Sequence, residues 1–373
     1  MIDTIILSIP REKAVMLDLT ASGVPPWNLQ ARTRAYEKLI KNPSPRDLQS
    51  GLYFPRLTGY RRKNGKFTFE TRIKIEFSAP KLLYQNNLDE LTDSQFEEIV
   101  EALRDRLYRM GVVVSIQDIK DASVAAVHYS KNIELQNGYT AQYVINELGK
   151  INLNKRFDLT RARYMNDGQS LCAYAQSHSL VIYDKIADLA RGKKRSIDKE
   201  QTTYQLELFK PLSKTKEILR MEVRLSQKQK MNSLFKKLGF NDNPTFREVF
   251  EVRKSKTILS YYWNTMMSGN MNILFGYSIA AKDLLRQILV ADKTIKAKEA
   301  IYQTGLVLAM REANGMRELR SILAKRATDR TWYRIATNAK EIGIALANLK
   351  PREWYEQIKQ TLEDYRPFRT VDN

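Results

Sequence analysis

The stretch Ile218-Leu219-Arg220-Met221-Glu222-Val223-Arg224-Leu225 alternates apolar and charged residues. Successive side chains of a β-strand point to opposite faces, so this pattern predicts a strand with one buried face and one polar face. The apolar face comprises Leu219, Met221, Val223 and Leu225. The polar face comprises Arg220, Glu222 and Arg224. A carboxylate between two arginines is either an ion-paired structural residue or part of a charged site.

Similar strand patterns lie on the N-terminal side of this stretch. They cover residues 4–7, 71–77, 118–129, 171–175 and 178–185. Between the second and third of these runs, Thr92 and Gln95 form a capping box that starts a helical apolar pattern, and Gly111 ends it. We therefore predict the α+β class, with an N-terminal antiparallel sheet and flanking helices.

Long helical patterns replace the strands from about residue 240, for example at residues 279–290 and 297–310. We predict a sheet domain over residues 1–238 and a mainly helical domain over residues 239–373. Two further helices match a helix-turn-helix, and the second carries Arg330 and Arg334 for DNA binding. The alternative is plain packing of two amphipathic helices with a solvated basic face.

Charge and cysteine content restrict the class of partner. The chain has 62 basic and 42 acidic residues, a formal charge of +20, which favours a polyanion. No apolar run approaches the roughly 20 residues that cross a bilayer, so we expect nucleic acid and no membrane. Cys172 is the single cysteine, which excludes an internal disulfide and predicts a reducing cytoplasm. Any metal must then be held by oxygen and nitrogen ligands.

Three residues on predicted strands are candidate metal ligands. Glu222 lies on the strand described first, Asp121 lies near the start of the run at 118–129, and His178 opens the run at 178–185. If the sheet brings them together, two oxygens and one nitrogen suit Mg²⁺ or Mn²⁺. Each residue also has a structural alternative. His128 has the opposite strand parity to Asp121, so we expect it on the other face unless a β-bulge intervenes.

Tyr204 is the candidate nucleophile. It lies in a predicted helix at residues 198–209, directly after a basic loop that would draw in a phosphate. The basic side chains of that loop are Arg191, Lys193, Lys194 and Arg195. Alternatively, Tyr204 packs with Leu208 on one helical face, because these residues are spaced i, i+4.

Several of these tracts, taken in order, resemble the replication initiators of filamentous bacteriophages and their plasmid and prophage relatives. The matching tracts are residues 1–10, 75–83, 119–123, 178–185, 203–205, 219–224, 330–334 and 343–344. The chain departs from many rolling-circle initiators in having no His-x-His, so the metal set is expected to be rich in carboxylates.

This resemblance implies an origin-specific, metal-dependent nickase that becomes covalently attached to the 5′ side of the cut. Tyr204 would attack the scissile phosphate, with Lys185, Arg220 or Arg224 binding that phosphate or a neighbouring one. Asp121, Glu222 and His178 would hold the metal. The implied partners are supercoiled and single-stranded origin DNA and a host helicase, in a bacterial cytoplasm.

Two other functions fit the same sequence features. A non-catalytic replication or copy-control regulator needs only the charge and the helical domain. A metal-dependent nuclease that uses water leaves Tyr204 as a core residue. Metal dependence separates the first alternative from a nickase, and cleavage by Tyr204→Phe separates the second.

Overall fold

The computed structural model describes the chain in several ranges. These are residues 1–17, 37–43, 47, 50–64, 68–151, 161–165, 169–190, 216–268, 270, 274, 280–312, 315–324, 326–345 and 352–370. The strands are β1 Ile2–Pro10, β2 Ala14–Met16, β3 Glu37–Lys41, β4 Arg56–Asn64, β5 Thr68–Ser78, β6 Val112–Val114, β7 Ser123–Leu135, β8 Arg161–Met165, β9 Ser170–Tyr174, β10 His178–Asp184 and β11 Glu217–Leu225.

The helices lie between and after these strands. They are α1 Ala79–Tyr84, α2 Phe96–Arg109, α3 Ile116–Lys120, α4 Ala141–Leu148, α5 Lys185–Ala190, α6 Lys228–Lys237, α7 Phe246–Val249, α8 Val252–Met267, α9 Ala281–Ala291, α10 Ala297–Arg311, α11 Gly315–Leu323, α12 Asp329–Ala345 and α13 Glu353–Asp364. Two single 3₁₀ turns, Arg11–Lys13 and Asp93–Gln95, complete the described elements.

Nine strands form one antiparallel sheet in the order β3-β4-β5-β1-β7-β11-β10-β9-β8, and β2 pairs with β6 separately. The predicted α+β class, with a large N-terminal antiparallel sheet and helices in the C-terminal part, is confirmed. The alternation in β11 explains why the sheet has two different faces. Its apolar side chains join the buried core, and we call this side the core face. We call the side that carries Arg220, Glu222 and Arg224 the polar face.

The capping box predicted from Thr92 and Gln95 is present. The Thr92 backbone N–H donates to Gln95 Oε1 at 3.0 Å, and the turn leads directly into α2. Gly111 follows the helix with a φ of 79°, a left-handed conformation that glycine adopts without steric strain. The predicted strand patterns at residues 4–7, 71–77, 171–175 and 178–185 correspond to β1, β5, β9 and β10.

The strand predicted at residues 118–129 is wrong in its first part. Ser115 Oγ accepts the backbone N–H of Asp118 at 3.0 Å, which caps the short helix α3. A serine cap of this kind satisfies a free N–H group of the first turn and favours a helix over an extended chain. Asp121 therefore follows a helix, and β7 begins only at Ser123.

The helices that follow residue 228 contribute to two hydrophobic cores. Helices α6, α7, α8 and α13 contribute to the core beneath the sheet. The second core lies within α9 to α12, which we call the helical unit. The C-terminal helix α13 thus returns to the sheet after the helical unit. Within the described ranges, no helix is both long and apolar enough to span a membrane.

Trp354 tests this assignment of α13, because its side chain is fully buried in the core beneath the sheet. We expect Trp354→Ala to lower the free energy of unfolding by about 3–5 kcal/mol, through lost apolar burial and the cavity left behind. Chemical denaturation monitored by circular dichroism measures this loss. Tyr108→Ala is the control, since Tyr108 on α2 is 57% exposed. Equal midpoints for the two variants would place Trp354 outside the core.

Candidate functional site

The centre of the polar face lies on three neighbouring strands, β7, β11 and β10. The register places Glu222 opposite Ser130 and Val181, and Arg224 opposite His128. Residues directly opposite each other in a sheet point to the same face. Glu222, Arg224 and His128 therefore lie side by side on the polar face.

Glu222 is buried, with only 2% of its surface exposed, and it has two cationic or potentially cationic neighbours. Arg224 donates to it through Nε and Nη2, each at 3.0 Å, and His128 Nδ1 lies 3.5 Å from Oε1. Burial alone would raise the pKa of Glu222, but Arg224 and His128 hold it well below its usual range. Glu222 is therefore ionised at neutral pH. The Arg224 side chain is 39% exposed, so this group opens to solvent.

His128 is a site residue whose face of the sheet the sequence analysis does not identify. Asp121 does not belong to a strand, and the register with β1 is irregular between Ala126 and Val124, so parity relative to Asp121 does not determine the face of His128. Within β7, His128, Ser130 and Asn132 alternate with residues on the core side. That alternation, matched to the pattern in β11, was the signal that could have identified His128.

A β-bulge places Asp3 next to this site. Ile2 on β1 pairs with Tyr129 on β7, and Thr4 pairs with the adjacent residue His128. Asp3 is therefore an additional residue on β1 without a partner position on β7. Bulges re-aim side chains and often occur beside active sites. Asp3 Oδ1 lies 2.8 Å from Arg220 Nη2, on the polar face.

Arg220 is buried, and both of its terminal Nη groups have hydrogen-bond acceptors, whereas its Nε has none among the described residues. It donates through Nη1 to the Asn87 carbonyl at 2.6 Å and through Nη2 to Ser130 Oγ at 2.8 Å. A small apolar cluster of Leu88, Leu189 and Ile218 covers this end of the polar face. Arg220 is thus a fixed positive charge, whereas Arg224 is accessible.

Lys185, predicted as a catalytic or phosphate-binding residue, lies at the start of α5 with 1% of its surface exposed. Its Nζ is 3.8 Å from Asp188 Oδ2 and 5.8 Å from the Tyr183 ring centre. Burial and the positive charge of Arg220 lower the pKa of Lys185 to about 7. The ammonium and the neutral amine are both populated near neutral pH, and the amine form can accept a proton.

His178 does not share the polar face with Glu222. It pairs with Leu225, a core-face residue, whereas Glu222 pairs with Val181. The His178 imidazole is buried 6.1 Å from the ring of Tyr262 on α8. The side chains of Glu222 and His178 therefore lie on opposite faces of the sheet, and His178 belongs to the core.

Asp121 is also remote from Glu222. It is exposed after α3, where it accepts a hydrogen bond from Gln117 Nε2 at 2.6 Å. Ser130, the partner of Glu222, lies seven residues beyond the start of β7, which at the usual rise corresponds to about 20 Å. The predicted set of Asp121, Glu222 and His178 is therefore not brought together, and only Glu222 remains at the site.

The remaining predicted residues fall into two groups. Arg330 and Arg334 are exposed on α12, while Trp332 on the same helix is buried in the core of the helical unit. The others lie outside the described residues. They are Tyr204, Arg191, Lys193, Lys194 and Arg195.

In the described ranges, no group of three or more His, Cys, Asp or Glu side chains is arranged to hold a metal ion. Glu222 and His128 form a pair of potential ligands. Comparison with known proteins adds no further assignment: no family model, no curated protein and no solved structure matches this chain.

Proposed function

We propose that this chain cuts and rejoins one strand of DNA at a replication origin, as an initiator of rolling-circle replication. The observation that carries the proposal is the pairing of Glu222 with His128 on adjacent central strands of the sheet. Arg224 stands at the solvent side of this pair, and Arg220 supplies a second fixed charge on the same strand. Phosphodiester exchange requires this combination of a ligand pair and cations near non-bridging phosphate oxygens.

Glu222 and His128 fit a divalent metal ion as two of its ligands. The 3.5 Å between Oε1 and Nδ1 is close to the separation of adjacent ligands on one ion. Mg²⁺ and Mn²⁺ commonly take one or two protein ligands and complete their shell with water and phosphate oxygens. When bound, such an ion withdraws charge from the scissile phosphate. Arg224, which now holds both oxygens of Glu222, would then be released toward the DNA.

Tyr204 is the proposed nucleophile. Its phenol oxygen forms a bond to the scissile phosphorus while the bond from phosphorus to the 3′ oxygen breaks. The phenol proton ends on that 3′ oxygen, so the products are a free 3′ hydroxyl and a 5′ phosphotyrosine. The ester retains the energy of the phosphodiester, which permits rejoining after one round of synthesis. A water nucleophile would not retain it.

The formal charge of +20 supports binding to DNA as the substrate. If the protein contacts roughly 6–10 phosphates, its affinity for DNA should fall by about 10³–10⁵-fold when the salt concentration rises from 50 to 200 mM. Such binding does not depend on base sequence, so origin choice requires a separate element. We propose that Arg330 and Arg334 of the helical unit contact origin duplex. The implied setting is a bacterial cytoplasm, where a host helicase separates the strands.

A non-catalytic DNA-binding regulator is the second candidate, and one observation favours it. Glu222 is saturated by a two-bond interaction with Arg224, which is the geometry of a structural ion pair. In that case Glu222→Gln and chelators would lower neither DNA binding nor any other activity. Nicking and metal dependence separate the two candidates.

Tyr204→Phe is the first test of the nickase. Wild type with Mg²⁺ is expected to nick supercoiled origin DNA and to leave a protein-linked end on denaturing gels. Removal of the phenol oxygen should abolish the linked product, because no other atom of that residue can form the ester. Linked product from Tyr204→Phe would exclude Tyr204, and unlinked cleavage would indicate attack by water.

The two histidines of the chain provide a matched pair of variants. His128→Gln is expected to lower the nicking rate by roughly 100-fold, since it removes a group beside the reacting phosphate. His178→Gln removes a core residue and should alter thermal stability more than the rate of the folded enzyme. Nicking rates are normalised to the folded fraction from thermal melts. Equal rates for His128→Gln and wild type would remove His128 from the site.

Replacement of Arg330 and Arg334 by alanine tests the helical unit. Binding to a duplex containing the origin should weaken roughly tenfold, and each lost phosphate contact should reduce the salt slope by about 1. Nicking of a single-stranded oligonucleotide should continue, because the sheet is unchanged. Arg286→Ala is the control, as its side chain is 73% exposed on α9 of the same unit. Unaltered duplex affinity in the double variant would assign duplex binding elsewhere.

A further inference from the structure

A group of four residues lies on the polar face, on the neighbouring strands β1, β5 and β4. We call it the tyrosine cluster, and it consists of Ser8, Tyr60, Arg72 and Lys74. Ser8 has the strand parity of Thr4, which is the partner of His128. The register of β5 with β1 and of β4 with β5 carries this parity to the other three residues. The whole cluster therefore lies on the side of the sheet that carries His128.

Hydrogen bonds hold the Tyr60 ring in place. Ser8 Oγ lies 3.3 Å from the Tyr60 hydroxyl, and Arg72 fixes Ser8 by donating to its Oγ at 2.9 Å and to its carbonyl at 3.0 Å. Glu70 in turn accepts a hydrogen bond from Arg72 Nη1 at 2.5 Å. Tyr60 is half-buried, so part of this fixed ring remains accessible to solvent.

Lys74 adds a positive charge beside this ring. Its Nζ lies 5.1 Å from the centre of the Tyr60 ring, within the range of a cation–π interaction. In the part of the chain that the structure describes, Lys74 has no carboxylate within 4 Å, and Glu76, two residues along the same face, lies opposite Arg56. Lys74 is half-buried. A ring beside such a cation suits an unpaired nucleotide, because the ring stacks on the base and the cation contacts the phosphate.

We propose that the tyrosine cluster binds one nucleotide of the single strand, with its base stacked on Tyr60 and its phosphate contacted by Lys74. This inference rests on the proposed function, and it assigns a position outside the reacting centre. Thr4 and Ser8 are four residues apart on β1, about 13 Å, so this nucleotide is distinct from the one beside His128. Lys74 has a flexible stem, so its ammonium would move from the ring to the phosphate as the base stacks.

The opposite side of the same two strands carries a second cation–aromatic pair. Arg61 Cζ on β4 lies 4.2 Å from the centre of the Phe69 ring on β5, and Phe69 is 40% exposed. Phe69 has the strand parity of Ile73, a buried core residue, so its ring points away from the polar face. A strand bound across the polar face cannot stack on Phe69, which makes this residue a matched control.

Fluorescence anisotropy measures the affinity of the full chain for a labelled short thymidine oligonucleotide, in EDTA so that no cleavage occurs. Tyr60→Leu and Tyr60→Phe both remove the hydroxyl, but only Tyr60→Phe keeps an aromatic face. Tyr60→Leu should bind roughly tenfold more weakly than wild type, because it loses the stacking of one base. Tyr60→Phe should stay within about twofold of wild type. Phe69→Leu, the matched change on the opposite side, should bind as wild type.

Two further measurements make the result specific. Lys74→Gln should lower the slope of log affinity against log salt by about 0.7, the value for one phosphate of a single strand. A blunt duplex keeps its bases stacked on each other, so Tyr60→Leu should leave the affinity for duplex unchanged. Thermal melts identify the folded variants before titration.

The proposal is overturned if wild type does not bind the oligonucleotide, or if Tyr60→Leu binds it as tightly as wild type. It is also overturned if Tyr60→Phe binds as weakly as Tyr60→Leu, because the hydroxyl would then be the essential group. An equal loss of affinity for duplex would overturn it as well, since no stacking would be involved. Failure of the proposed function gives a different result. The dependence on Tyr60 would persist in EDTA, but supercoiled origin DNA would not be nicked with Mg²⁺ or Mn²⁺.

Discussion

The pairing of β7 with β11 determines which side chains meet on the polar face. In the observed register, Glu222 lies opposite Ser130 and Arg224 lies opposite His128. A shift of one residue would turn Glu222 into the core and expose Met221. The apolar side chains beneath the sheet oppose that shift, because an unpaired buried carboxylate costs several kcal/mol. Hydrophobic packing on the core face thus fixes the chemical groups on the other face.

Residues distant in sequence form a buried ion pair on the core side of β7, where Lys131 lies opposite the core-face residue Met221. Glu90 is buried beside Lys131, with 2.5 Å between Oε2 and Nζ, and it also accepts the backbone N–H groups of Asn132 and Phe368. Burial would raise the pKa of Glu90, but Lys131 lowers it below its usual range. The loop that carries Glu90 also supplies the carbonyl of Asn87 to Arg220. The C-terminal segment therefore supports the position of Arg220 through this loop.

Sequence patterns predict the secondary structure correctly where a local interaction or a buried face determines it. The Thr92 capping box and the alternation in β11 are of this kind. The predicted metal ligands are not brought together, and Asp121 shows one reason. Strand parity has meaning only within a strand, and the Ser115 cap places Asp121 after a helix instead of in β7. The prediction that His178 lies beside Glu222 was wrong because His178 pairs with Leu225, which points to the core face. The bulge at Asp3 and the return of α13 arise from tertiary contacts, which a single sequence does not contain.

In the proposed nicking reaction, the environment of the polar face disfavours Tyr183 as the nucleophile. Tyr183 lies opposite Arg220, and its ring centre is 5.8 Å from Lys185 Nζ. Burial raises the pKa of Tyr183 well above its ordinary value, and although Arg220 opposes this effect, Glu222 adds to it. A phenol that is hard to ionise is a poor attacking group unless a base removes its proton. The same negative charge that would hold a metal thus disfavours a phenolate on β10. A nucleophile brought to the phosphate from another segment avoids this conflict, which favours Tyr204 over Tyr183.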